Sequence, residues 1–108
     1  MARHDVCALN ELPEGDKKAF KIEGTPLLLF RTATEVLALH NRCAHLNLPL
    51  SNGKFDGERI TCAFHGARFD VKTGHMDKKA WLLGGLIGKD CVKTYPVSVE
   101  GERVFVEL

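Results

Sequence analysis

Short apolar runs alternate with clusters of turn-forming residues along the chain, and no repeat, low-complexity tract or linker breaks the pattern. Val6-Cys7-Ala8-Leu9 reads as a first strand, closed by the turn-rich Leu12-Pro13-Glu14-Gly15-Asp16. Ala19–Ile22 and Leu27–Arg31 read as two strands flanking a turn at Glu23-Gly24-Thr25-Pro26. A strand over Glu35–Leu39 follows, then a turn and strand over Phe55–Ile60, then a returning strand from Ala67 to Val71. Apolar and polar positions alternate from Val97 to Val106 around Glu100-Gly101, which predicts a C-terminal hairpin. Regular short strands with frequent turns point to an all-β fold, an antiparallel sandwich or small barrel. The 108 residues are one domain's worth, with a modest core that a metal centre would help to cross-link.

Charge and composition remove several function classes. Fifteen basic and 14 acidic side chains give no basic field for nucleic acid or a lipid surface. Met1-Ala2-Arg3-His4-Asp5 opens without an apolar h-region. The longest apolar stretch, Trp81 to Ile87, is far shorter than the ~20 residues that span a bilayer. A soluble, cytoplasmic protein without membrane partners is therefore the expectation. Four cysteines could form two disulfides in a secreted chain, but Cys43 and Cys62 each stand beside a histidine, which favours metal binding. Cys7 and Cys91 read as small buried hydrophobes in strands, the other reading being a regulatory thiol.

The chemistry concentrates in two short motifs. Cys43-Ala44-His45 and Cys62-Ala63-Phe64-His65 supply two thiolates and two imidazoles, each pair in a loop that follows a strand. Two such loops can converge on one centre from the same end of a sheet. A structural zinc site can also take two cysteines and two histidines, but its ligand runs more often read Cys-x₂₋₄-Cys and His-x₃₋₅-His. In a Rieske [2Fe–2S] cluster, two histidines replace two cysteines on one of the irons. The alternation seen here suits that centre better than zinc.

The surrounding text, CAHLNLPLSNGKFDGERITCAFHGARFDVKTG, closely resembles the soluble Rieske ferredoxin family over residues 43–74, and more weakly over 1–42 and 93–108. The resemblance implies a Rieske-type antiparallel β-sandwich with a cluster-binding subdomain of two loops, within about residues 40–75 of a single domain spanning 1–108. It implies that Cys43 and Cys62 hold the inner iron and that His45 and His65 hold the outer, solvent-facing one. Gly66, Pro49, Leu50 and the Thr73-Gly74 turn match the family pattern, whereas Asn47 stands where glycine is common. Asparagine tolerates left-handed backbone, so that departure is mild.

Residues around the ligands imply a subclass. High-potential relatives clamp the two loops with a disulfide, and the matching positions here are Leu48 and Phe64. They also donate serine and tyrosine hydroxyls to cluster sulfurs, where this chain has Ala67 and Phe69. Without those donors the reduced cluster is less stabilised, which implies a potential near about −150 mV. The segment Lys78–Asp90 departs from the family, which usually has a proline-containing loop there. Trp81, Leu82, Leu83, Leu86 and Ile87 read as a hydrophobic lid or, alternatively, as a docking patch. His4, His40 and His75 read as ordinary surface or turn residues.

By resemblance the chain is an electron-transfer protein and not itself an enzyme. It would carry single electrons from an NAD(P)H-dependent flavoprotein ferredoxin reductase to a terminal aromatic-ring hydroxylating oxygenase, and act as a monomer. A nitrite-reductase small-subunit-like role is disfavoured because all four ligands are present. An oxygenase catalytic subunit would need a separate iron site with two histidines and a carboxylate. No histidine follows Cys91 to build one.

Overall fold

The computed structural model describes residues 2–42, 50–61, 68–74, 76–78 (backbone) and 92–108. Among them lie eleven strands and two single 3-10 turns, Leu9–Glu11 and Leu50–Asn52. In chain order the strands are β1 (Arg3–Ala8), β2 (Lys17–Ile22), β3 (Thr25–Arg31), β4 (Val36–His40), β5 (Lys54–Phe55) and β6 (Arg59–Thr61). They continue as β7 (Arg68–Asp70), β8 (Met76–Lys78), β9 (Thr94–Tyr95), β10 (Val97–Glu100) and β11 (Arg103–Glu107). All pairing is antiparallel, in three sheets ordered β1-β11-β10, β2-β3-β4-β9 and β5-β6-β7-β8.

The run Leu27-Leu28-Leu29-Phe30 explains the layering. All four are fully buried. Successive side chains on a strand point to opposite faces, so a continuous apolar run requires cover on both. Leu27 and Leu29 join Cys7, Leu12, Val36, Ala38, Val104 and Val106 on one side. Leu28 and Phe30 join Leu39, Leu50, Ile60, Phe69, Val71 and Val92 on the other. The β2-β3-β4-β9 sheet is therefore the middle layer. Each such leucine contributes about 1.5–3 kcal/mol through burial. The expected sandwich is present in the first two sheets, and the third sheet is an added platform beneath the second ligand loop.

Two hairpins turn one or two residues away from where the sequence pattern places them. Glu23 and Gly24 both have positive φ, and the pair Ile22↔Thr25 closes the turn, so Thr25 and Pro26 belong to β3. The β3–β4 ladder begins only at Leu27↔His40, so the missing Pro26 N–H breaks no ladder bond. At the C-terminus Gly101 and Glu102 form the turn, and Glu100 stays in β10 opposite Arg103. Both are two-residue turns with φ > 0 throughout, which matches the strands' right-handed twist. Similarly, Phe55 is not part of a turn but ends β5. Asp56 makes that turn, its Oδ1 accepting from the N–H groups of Glu58 (2.9 Å) and Arg59 (2.8 Å).

Candidate metal centre

The first ligand loop springs from the end of β4, and Asn41 closes its base. Asn41 is a buried polar residue, 7% exposed. Its Oδ1 accepts from Leu50 N–H and Ser51 N–H, both at 3.0 Å, so residues 41 and 50–51 are tied across the loop. Its own N–H donates to the carbonyl of Pro26 at 2.9 Å, anchoring the tie to β3. The second ligand loop is closed by the β6–β7 pair Thr61↔Arg68. These two bases touch. A Cβ on Gly53 would overlap the carbonyl oxygen of Thr61, so only glycine lets the chain returning from the first loop lie against the start of the second.

A third segment starts and ends on the same rim. Arg68, at the end of the second loop, pairs with Lys78 of β8. The chain comes back at Val92, whose N–H donates to Gly74 at 2.7 Å, and Lys93, whose carbonyl accepts from His40 N–H at 2.9 Å. Gly74 has φ +77°, and a Cβ there would overlap the Val92 carbonyl, so the turn predicted at Thr73-Gly74 has a packing reason. Residues 41, 50, 53, 61, 68 and 78 thus form a chain of neighbours, which residues 92–93 join through Gly74 and His40.

The sequence-predicted ligands Cys43, His45, Cys62 and His65 lie outside the described residues. So do Asn47, Leu48, Pro49, Phe64, Gly66, Ala67, His75, Cys91 and residues 79–90 of the apolar segment. Phe69 is described, and it sits fully buried at the centre of the cluster between the middle and third sheets. It shares that apolar cluster with Leu28, Leu39, Leu50 and Ile60 and is closed off from water.

His40 is not the ordinary surface residue its sequence context predicts. It lies half-buried in β4, with Nδ1 3.4 Å from the hydroxyl of Tyr95. Burial, then the charges of Arg42 and Lys93, hold it below the usual histidine value. Burial also pushes the Tyr95 phenol up. Cys7 is 2% exposed in β1, and burial, then Glu11, raise its thiol, so it behaves as the small core hydrophobe expected. His4 lies in β1 with Nε2 3.9 Å from a carboxylate oxygen of Glu23. Sequence reasoning passed over Asn41 and Gly53. An asparagine two residues before a ligand motif and a glycine shortly after it are the only signals either left.

Three antiparallel layers, with the bases of a Cys-x-His loop and a Cys-x-x-His loop abutting on one rim, define a small β-protein organised around a single metal centre. The chain belongs to the Rieske [2Fe-2S] domain family, whose pattern matches residues 2–96. It is 38% identical to the ferredoxin component of the naphthalene 1,2-dioxygenase system of Pseudomonas aeruginosa, over 96% of this chain and 93% of that one. It is 36% identical to the 3-phenylpropionate/cinnamic acid dioxygenase ferredoxin subunit of Shigella boydii, covering all of this chain and 95% of the relative. The solved ferredoxin of carbazole 1,9a-dioxygenase from Nocardioides aromaticivorans superposes with a TM-score of 0.83 at 30% identity, over 98% and 97% of the two chains. The terminal oxygenase of that system matches equally well in fold, TM-score 0.83 at 32% identity, but only over 30% of its own length.

The family's cofactor is a Rieske [2Fe–2S] cluster, and the described frame fits it. Both loops carrying sulfur and imidazole donors are anchored at touching bases, as a single four-ligand centre requires. No helix among the described residues is long and apolar enough to cross a membrane.

Proposed function

We propose that this protein is a low-potential Rieske ferredoxin, carrying single electrons from an NAD(P)H-dependent flavoprotein reductase to a terminal aromatic-ring hydroxylating oxygenase. It works as one domain over residues 1–108, monomeric and cytoplasmic, and performs no bond-making chemistry itself. Cys43, His45, Cys62 and His65 would hold the cluster. When bound, the cluster supplies a one-electron couple with a potential raised, relative to all-cysteine ligation, by its two imidazoles. The chain's own part is positional. Asn41 and the Thr61↔Arg68 pair fix where each ligand loop starts and ends. The Leu28–Phe69 core keeps that rim stiff. His45 and His65 each bring a second ring nitrogen that can keep or release a proton, which makes reduction sensitive to pH.

The observation that carries the reading is the junction of both loop bases at Gly53 and Thr61, together with full-length similarity to dioxygenase ferredoxin components. The test is reconstitution. With NADH, a naphthalene-type reductase and its terminal oxygenase, the iron-loaded protein should restore hydroxylation of naphthalene at a rate that saturates with its concentration. Failure of the reduced protein to pass its electron to any ring-hydroxylating oxygenase would overturn the assignment.

A further inference from the structure

Apart from the ligand motifs, one pair of titratable side chains stands inside the fold where the first ligand loop begins. His40 ends β4, three residues ahead of Cys43, so their Cα atoms are at most about 11 Å apart. Alternation along β4 puts His40 on the face of Val36 and Ala38, between the middle and outer sheets. Tyr95 is buried in the same cluster and pairs with Ala38. Its hydroxyl lies 3.4 Å from His40 Nδ1, at the long end of hydrogen-bonding distance. The His40 N–H donates to the Lys93 carbonyl at 2.9 Å, which fixes the backbone under the ring.

The surroundings of the imidazole decide its charge. The β4 strand packs against β3, β9 and β10. On β3 its partner is apolar Leu27, and the one charged residue of that strand, Arg31, stands at the opposite end beside Val36. On β10 the one charged residue, Glu100, is bound to Arg3. The β9 strand brings the Tyr95 phenol, and Arg42 and Lys93 add two positive charges. Among the described residues no carboxylate lies within ion-pair distance of His40, whereas His4 has Glu23. Burial first, and the two cations second, therefore keep the ring neutral at pH 7. Burial also keeps the phenol protonated. Its O–H then donates to Nδ1, and the ring's own proton sits on Nε2.

We infer that His40 is a proton acceptor coupled to the electron the protein carries, separate from the ligand imidazoles, and that Tyr95 positions its ring. The inference rests on the electron-carrier reading above. An electron arriving from the reductase adds one negative charge near the loop, and a proton from solvent binds His40 Nδ1. When the electron leaves, that proton returns to solvent. Tyr95 serves both states, because a hydroxyl donates to the neutral ring and accepts from the charged one. A carboxylate in its place would hold the proton in both states and remove the coupling. At about 12 Å and an effective dielectric of about 20–40, a unit charge raises the ring's proton affinity about three- to tenfold. The oxidised protein takes this proton below the ordinary histidine value of about 6.5, and the reduced protein takes it about half to one pH unit higher. Linkage then requires the midpoint potential to rise as pH falls through that window.

Voltammetry of the iron-loaded protein from about pH 8 to about pH 4.5 tests this on wild type, His40→Gln and Tyr95→Phe. Carbon-detected NMR of the histidine rings follows the same titration in oxidised and reduced wild type, so the test stands even where a variant fails to fold. Wild type should gain about 30–60 mV on the acid side, the three- to tenfold change at about 59 mV per tenfold. His40 should titrate about half to one pH unit higher in the reduced protein. His40→Gln should lose the acid limb. Tyr95→Phe, which leaves the charged ring's Nδ1–H without its acceptor, should keep the limb but move it to lower pH. A reversible wave that is flat on the acid side, or a His40 that titrates alike in both oxidation states, would overturn the coupling and leave the carrier reading intact. A limb that persists in His40→Gln would assign the proton to the ligand imidazoles and overturn it too. Protein with no reversible one-electron wave at any pH overturns both.

Discussion

Asn41→Ala should weaken the protein far more than its position between a strand and a loop suggests. Asn41 Oδ1 accepts two backbone N–H groups at 3.0 Å, one from fully buried Leu50 and one from half-buried Ser51. Removing the acceptor leaves the Leu50 donor without water or partner, at a cost of about 1–3 kcal/mol. The Ser51 donor can be partly rehydrated, so its loss costs up to about 1 kcal/mol. The sum, about 1–4 kcal/mol, is a sizeable share of a typical domain stability of about 5–15 kcal/mol. At about 4–8 °C per kcal/mol for a small domain, it corresponds to a fall in Tm of about 4–30 °C. Calorimetry of the iron-loaded proteins at one scan rate measures the loss. Hydrogen exchange at the Leu50 and Ser51 amides localises it, because both should lose protection. Asn41→Asp, which keeps an acceptor oxygen in place, should recover most of the stability. The reasoning fails if Asn41→Ala melts within about 2 °C of wild type, or if the two amides keep their protection.

Three further outcomes follow from the same frame. Gly53→Ala must move the Thr61 carbonyl and should lower cluster occupancy, measured as iron per chain, while Gly57→Ala, whose Cβ would meet open space, should leave occupancy near wild type despite backbone strain at φ +104°. Ala67→Ser combined with Phe69→Tyr should raise the midpoint potential above about −150 mV in a voltammogram. Phe69 is walled by apolar side chains, so a phenol that misses the cluster would instead cost about 1–3 kcal/mol with no change in potential. The backbone N–H groups of Glu58 and Arg59 hold the Asp56 carboxyl below its usual value. Because its folded value is depressed, its stabilisation is present above the ordinary aspartate value of about 3.9 and fades as pH falls through the folded one. Asp56→Asn should therefore flatten the acid limb of a stability-against-pH curve below about pH 4, and an unchanged limb would contradict this.

What the sequence revealed and what it hid have physical causes. Leu27–Phe30 is legible because four consecutive apolar residues can only be a strand covered on both faces or a buried helix turn, and the turn residues at either end exclude the helix. The two Cys/His motifs stand out in the sequence because sulfur and imidazole at those spacings serve few other purposes, and their residues lie outside the described ones. Strands β5 and β8 are two or three residues long and carry no readable period, so the third sheet was not foreseen. The hairpin turns were misplaced because Pro26 and Glu100 look like turn residues, whereas strand twist selects the two positions with positive φ. Asn41 was overlooked because its role depends on Leu50 and Ser51, which only the closed loop brings within reach.

Metal analysis of protein purified without oxygen tests the central claim most directly, paired with EPR of the reduced form and of His45→Ala and His65→Ala. The account predicts about two iron and about two acid-labile sulfide per chain, and a rhombic signal that either substitution abolishes or reshapes. Colourless protein containing zinc, or an iron signal indifferent to both histidines, would contradict it.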